Sequence, residues 1–354
     1  MNEEEKTTQE HHRRVRYKGK YPKHFNEKYK ELNPEKYEST IEKVKSKGST
    51  PAGMHIPIMV QEILDFLQIE PGMHGFDATL GYGGHTLEML KKLEHKGMLI
   101  GGDADPLESA KTKERLEKLG YGEECFQVRL MNFCQIDELV AEVGPFDFIL
   151  ADLGVSSMQI DNPERGFSYK TQGPLDLRFN PNKGISAAER LCSMSRAEIE
   201  GMLVENADEP YAAQLAEQIT KDLWSGVVID TTQALHAEVE KALEKEQLSK
   251  DERKEAIKKA SARTFQALRI DVNNEYEVLY EFLEKLPNAL APGGRVAILT
   301  FHSGEDRLVK KAFKEYNRQG IYSEVARDVI RPSATECAQN PRAHSTKLRW
   351  AIKA

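Results

Sequence analysis

Gly75-Phe-Asp-Ala-Thr-Leu-Gly81-Tyr-Gly83-Gly84-His85, read together with Asp103-Ala-Asp105, decides how this chain folds. The stretch follows an apolar segment, ends on three glycines and runs into an amphipathic pattern from Thr86 to Leu93. That is the layout of a strand, a tight turn and a helix N-terminus. Glycine in such a turn lets the backbone take positive φ and lets a ligand approach the main chain. Nineteen residues past Gly84, a second short strand, Met98 to Gly102, ends in Asp103. A carboxylate at that distance can accept hydrogen bonds from the ribose hydroxyls of a nucleoside.

The turn lacks phosphate machinery. A dinucleotide site wants Gly-x-Gly-x-x-Gly with the pyrophosphate on the helix N-terminus, whereas here His85 occupies the entry to the helix. No Lys-Ser/Thr pair follows, which excludes a nucleoside triphosphate loop. A glycine turn without phosphate contacts, followed by an acid after the next strand, suits S-adenosylmethionine. The plainer alternative, a turn that needs glycine only for its geometry, stays open at this level.

The 354 residues are 39% hydrophobic and 30% charged, enough for one large domain or two modest ones. No apolar run approaches the roughly 20 residues of a membrane span, and the start has no signal-peptide apolar core. Cys125, Cys134, Cys192 and Cys337 form no CxxC pair; they read as reduced thiols of a cytoplasmic protein with no metal site. Charge is uneven. His11 to Lys47 carries 12 Lys/Arg against 5 Glu, a net +7; taken from the chain's −7, this leaves −14 for the rest. Tyr17, Tyr21, Phe25, Tyr29 and Tyr37 are interleaved with those bases. Such an arm can reach phosphates and stack on unpaired bases, or can be a solvated arm packed on its own domain.

Along the chain, Met1 to Glu10 is expected to be disordered, and Lys47 to Gly53 reads as a linker. A helix is expected from Ile58 to Leu67, then strands at Phe126 to Val128 and Phe146 to Asp152, the last ending on a carboxylate. Strands alternate with helices and carry polar residues at their C-terminal ends, where open α/β sheets bind ligands. Gly154 to Asn182 is a long polar loop holding Ser156, Ser157, Gln159, Asp161, Arg165, Asp176 and Arg178. Ser186 to Lys259 gives helices only, one opened by the capping box Ser195-x-x-Glu198. A helix over Phe265 to Leu286, a strand at Gly294 to Phe301, a helix at Asp306 to Tyr316 and a strand at Lys347 to Ile352 follow. The expected boundaries are an arm over 1–50, a sheet domain over 51–160 and 260–354, and an inserted loop and helical subdomain for substrate recognition over 161–259.

Asp152-Leu-Gly-Val-Ser-Ser-Met-Gln-Ile-Asp-Asn-Pro-Glu-Arg-Gly-Phe-Ser168 closely resembles the signature of the ribosomal RNA small-subunit methyltransferase H (MraW) family. So do Gly173 to Arg178, Phe265 to Ile270, Leu299 to Ser303 with Glu305 to Arg307, Asn340 to Arg342 and Lys347 to Arg349. The resemblance implies an α/β fold of class I (Rossmann-like) S-adenosylmethionine-dependent methyltransferases with an inserted helical subdomain. It implies methylation of the exocyclic N4 amine of a cytidine in small-subunit (16S) ribosomal RNA, with naked RNA or the assembled small subunit as partner. Oligomeric state is left open, a homodimer included. Cofactor positions carry over to Gly83, Gly84, His85, Asp103, Phe133, Asp152 and Gln159. The chain departs from the family pattern at Ala78, Tyr82, Gly304, His344 and Thr346.

A cytosine amine is a poor nucleophile, and the sulfonium donor is already activated, so catalysis needs in-line positioning and acceptors that polarise the amine. Many amine methyltransferases use Asp/Asn-Pro-Pro-Tyr at this strand end; here Asp152-Leu-Gly-Val-Ser-Ser stands there, which points to Asp152, Ser156 and Ser157 as catalytic. Asp176 and Arg178 are either a structural loop pair or substrate contacts, and His302 is either a pocket wall or a turn. A paralogous enzyme acting on another RNA or DNA amine, and an RNA-binding assembly factor that keeps the fold, are the competing readings.

Overall fold

A computed structural model describes residues 57–354; the arm, its aromatic residues and the linker lie outside the described residues. The first half alternates strands and helices: Val60–Leu67 (α1), His74–Asp77 (β1), Gly84–Leu93 (α2), Met98–Asp103 (β2), Pro106–Lys118 (α3), Phe126–Leu130 (β3), Ile136–Val143 (α4) and Phe146–Asp152 (β4). The long loop holds the short helix Ser157–Asp161 (α5), and helices only follow it: Ala187–Ser193 (α6), Arg196–Ala207 (α7), Ala212–Trp224 (α8), Thr232–Glu244 (α9), Lys250–Asn273 (α10) and Glu275–Ala289 (α11). The chain then completes the sheet with Leu290–Thr300 (β5), Ser303–Arg318 (α12), Tyr322–Val325 (β6), Ala334–Gln339 (α13) and Lys347–Lys353 (β7).

The seven strands form one sheet in the order β3-β2-β1-β4-β5-β7-β6. The pairs from β3 through β5 are parallel, while β7 runs antiparallel to both β5 and β6. This is the class I methyltransferase sheet. Its strand order reverses between β1 and β4, and a crevice opens there beyond their C-terminal ends. β4 is apolar almost throughout because it is covered on both faces. Ile149 and Ala151 pack on the side of α4, α11 and α12, whereas Phe148 and Leu150 pack on the side of α1 and α2. A register shift between Phe146 and Phe148 lets these two phenylalanines, two positions apart, join opposite faces.

The helices from α6 to α10 and the loop before them have a core of their own, from Phe167 to Leu268, centred on Leu191, Leu203, Leu215, Ile219 and Leu235. Two local expectations change. The helix expected over Phe265 to Leu286 is two helices, because Asn274 takes φ 48° and ends α10; asparagine tolerates this left-handed conformation better than most residues. The short edge strand β6, Tyr-Ser-Glu-Val, has too little apolar alternation to stand out in the sequence.

Candidate active site

The turn after β1 is built to be tight and rigid. Gly83 has φ 69°, and a Cβ there would come within 2.7 Å of Thr112 Cγ2; one on Gly84 would meet Pro57 Cγ at 2.7 Å. These glycines are therefore required by the turn's own packing, which brings the main chain close to α3 and to the segment before α1. Thr112 Oγ1 donates to the Gly81 carbonyl at 2.6 Å, and Arg115 lies 3.4 Å over the Tyr82 ring. Asp103, at the end of β2, closes the loop from the other side. Its Oδ2 accepts from Gly81 N at 2.7 Å and its Oδ1 from Asp105 N at 2.8 Å.

A second group of carboxylates sits at the ends of β1 and β4. Asp77 is buried and accepts from Thr79 N and, at 2.6 Å, from Thr86 Oγ1. His85 Nε2 lies 2.8 Å from the Ile58 carbonyl, which can only accept, so Nε2 carries a proton and Nδ1 faces Asp152 Oδ2 at 3.5 Å. The other carboxylate oxygen, Asp152 Oδ1, is buried without a hydrogen-bond partner. Burial pushes the Asp152 carboxyl up to about 6; His85 opposes the shift, and the charges of Asp77 and Glu305 add to it. Burial likewise raises Asp103 to about 6 against the pull of its two backbone donors, and raises Asp77. Glu305 goes the other way. Burial opposes its ionisation, but the hydrogen bond and charge of His302, the Phe301 N–H and the charge of Arg269 outweigh it and hold the carboxyl below its usual range.

The loop after β4 is ordered by side chains reaching its backbone. Ser156 caps α5, accepting from Gln159 N at 3.1 Å, while Gln159 Oε1 accepts from Ser156 N. Gln159 Nε2 also donates to Asp105 Oδ2 at 2.9 Å. Arg165, buried, donates to that same Asp105 oxygen and to the carbonyls of Arg178 and Phe179. Asn273, the last residue of α10, accepts from Phe179 N and donates to the Leu177 carbonyl, both at 2.8 Å. The long loop is thereby pinned to α3 and to the end of α10, and Phe179 and Asn273 become part of the cavity wall.

One cavity gathers Gly83, Gly84, His85, Asp103, Phe133, Asp152, Ser156, Ser157 and Gln159 in its lining. Phe133 stands edge-on to Phe282 at 5.1 Å between ring centres, which fixes its ring at the wall. Three other expected residues lie outside the lining. Arg178 is spent on Asp176 through two bonds of 2.8 and 2.6 Å and on the Gly184 carbonyl. His302 caps α12 and faces Glu305 Oε1 at 3.1 Å, so its ring serves the turn while Glu305 itself lines the cavity. Polar side chains in a loop look alike in sequence whether they face a ligand or each other. Conversely, Asp77, Asn273, Glu275 and Glu305 line the cavity without having been singled out. Glu275 is held by Arg269 at 2.7 and 2.9 Å. Gly304, at one of the departures from the family pattern, has a packing reason: a Cβ there would overlap the Tyr276 hydroxyl.

Fold and cavity together define a class I methyltransferase, with a nucleoside-type crevice at the β1/β4 switch point. The model of the MraW methylase family matches residues 52–354, and the chain belongs to that family. It is 66% identical over 345 residues to ribosomal RNA small subunit methyltransferase H 1 of Agathobacter rectalis, covering 98% of each chain. It is 66% identical to the protein of that name from Lachnoclostridium phytofermentans, covering 97% of this chain and 93% of the relative. At greater distance, ribosomal RNA small subunit methyltransferase H of Dictyoglomus turgidum is 37% identical over 84% of this chain and 96% of its own length. The family match begins after the basic arm, whereas coverage of 98% with the Agathobacter protein extends into it.

Proposed function

We propose that this protein transfers a methyl group from S-adenosylmethionine to the exocyclic N4 amine of a cytidine in small-subunit ribosomal RNA. The observation that carries the reading is Asp152 Oδ1, a buried acceptor without a partner at the end of β4, inside the cavity. A buried polar atom of this kind is costly unless a ligand satisfies it. An amine N–H is such a ligand. Among the described lining residues there is no cysteine or lysine. Methylation at a pyrimidine ring carbon would call for a nucleophile such as a thiolate, and a hydroxyl acceptor for a stronger base. The names and high identity of the relatives supply the RNA class.

The cavity fits a cationic nucleoside cofactor. Five carboxylates, Asp77, Asp103, Asp152, Glu275 and Glu305, face or flank it. Asp103 keeps unused lone pairs for ribose hydroxyls, Phe133 offers an apolar wall, and the turn at Gly83 and Gly84 admits a close main-chain approach. His85 Nδ1 lies 3.5 Å from Asp152 Oδ2, and Gln159 locks the turn that follows β4 against Asp105. When bound, the sulfonium supplies a methyl group already activated towards nucleophiles. Asp152 would then hold and polarise the amine, with the backbone from Leu153 to Val155 and Ser157 beside it, and would receive its proton as the N–C bond forms and the sulfur–methyl bond breaks. The helical block over 161–259, placed directly after this loop, is the part assigned to recognising the RNA.

Asp103 and Asp152, both raised to about 6, give a pH test with opposite signs for affinity and stability. Asp103 and Asp152 are ionised at pH 7.5 and lose their charge through about 6. Cofactor affinity is expected to fall on the order of tenfold to a hundredfold between pH 7.5 and 5, because a cation needs the ionised forms. In the ligand-free fold the same groups bind protons more tightly than in the unfolded chain. Their contribution to stability is therefore complete below the ordinary aspartate value and is lost as pH rises through about 6. Calorimetry and thermal melts from pH 5 to 8 check both; an affinity that stays flat across the range would remove these carboxylates from the cofactor site. The reaction itself is tested by methyl transfer from labelled cofactor to naked ribosomal RNA, small subunits and whole ribosomes. Transfer to none of the three would sink the proposal.

A further inference from the structure

A second concave surface lies on the helical block, away from the crevice. Lys250, Arg253, Lys254 and Lys258 of α10 line one side, and Tyr169 and His236 the other. Spacings of three and four residues put these cations on a single face of α10. Asp251, Glu252 and Glu255, the acids of the same stretch, are not in the lining. The one acidic lining residue, Glu240, sits 3.6 Å from His236 Nε2. Among the described residues, neither Lys250 nor Lys254 has an ion-pair partner, and Lys258 has only the exposed Glu255 at 3.5 Å. Arg253 donates through Nη2 to the carbonyls of Glu246 and Leu248, which fixes its guanidinium, yet its Nε is buried without a partner. Across the groove the Tyr169 and His236 rings stack with centres 5.2 Å apart.

We propose that this groove binds the phosphate backbone of the RNA substrate, as a track leading to the crevice. The inference rests on the ribosomal RNA reading and adds where the strand runs. Three observations favour a single strand of nucleic acid. The groove carries four cations against one acid, although the chain is acidic overall. Lys250, Lys254 and Lys258 succeed one another at about 6 Å of helix rise, a periodic row that consecutive phosphates can follow. The helix that bears the row ends at Asn273, in the cavity wall. From Lys254 to Asn273 is about 30 Å along the axis, the reach of a short stretch of nucleotides on either side of a target base.

The test is the triple variant Lys250→Gln, Lys254→Gln, Lys258→Gln in the full chain, at exposed helical positions where glutamine keeps the helix. Binding of a small-subunit ribosomal RNA transcript is measured at several salt concentrations for parent and variant, with cofactor affinity by calorimetry alongside. Three lost phosphate contacts are expected to reduce the slope of log affinity on log salt by about 2, and to weaken binding about a hundredfold at 0.1 M salt. Cofactor affinity and kcat at saturating RNA should stay at parental values while KM rises. Equal slopes and affinities, in a parent that methylates the RNA, would overturn the track alone. A parent that transfers no methyl group to ribosomal RNA would overturn the function and the track together. Unchanged RNA slopes with weakened binding to anionic phospholipid vesicles would assign the groove to a lipid surface instead.

Discussion

Replacing Asp152 by Asn is expected to lower kcat by about 10²- to 10⁴-fold, the range for loss of a positioned proton acceptor, while the protein stays folded. The substitution keeps the size of the side chain and the backbone bond from Asp152 N to Thr79 Oγ1. It changes the group whose Oδ1 is buried without a partner, and puts either an amide N–H or a weaker acceptor where the substrate amine should dock. Stability should move the other way. The carboxylate is costly to ionise at this place, as its rise to about 6 shows, so a neutral amide relieves the ligand-free fold at neutral pH. Thermal melts at pH 7.5 should give a Tm equal to or above the parent's, beside turnover measured with saturating cofactor. A variant that turns over within a few-fold of the parent would remove Asp152 from the chemistry.

The largest loss of stability is expected at Arg165. The side chain is buried, and its partner Asp105 is fully buried. Asp105 also caps α3 through the N–H groups of Leu107 and Glu108, and receives Gln159. Arg165→Leu would leave that carboxylate without its cation and would release the carbonyls of Arg178 and Phe179. Breaking a buried pair from one side typically costs about 3–5 kcal/mol. Denaturant unfolding should show a loss of this order. A second change, Asp105→Asn in the Arg165→Leu background, should restore part of it, because the buried charge then disappears. The pair's place gives the loss a functional side: the Asp105 N–H holds Asp103, and Gln159 belongs to the turn after Asp152. An Arg165→Leu protein as stable as the parent would show that this network does not hold the two loops together.

The contiguous parts of the site could be read from sequence, and the distant pairs could not. The glycine turn, the acid ending β2 and the carboxylate ending β4 each sit within a few residues of a strand signal, so spacing alone locates them. Asp105 and Arg165 are 60 residues apart, and Asp105-Pro106 reads in sequence as nothing more than a helix start. Asn273 and Glu275 reach the cavity only because the chain breaks at Asn274, inside what looks like one amphipathic helix. Asp176 and Arg178 show the reverse limitation. Their motif is specific, but their charges satisfy each other outside the cavity.

One measurement identifies the acceptor atom directly. The full chain is incubated with methyl-labelled S-adenosylmethionine and small ribosomal subunits, the small-subunit RNA is digested to nucleosides, and the labelled nucleoside is identified by mass spectrometry. Label is expected in N4-methylated cytidine, and about 10²- to 10⁴-fold slower to appear there when Asp152→Asn replaces the parent. Label in a carbon-methylated pyrimidine, in a purine or in a ribose 2′-O-methyl group would contradict it.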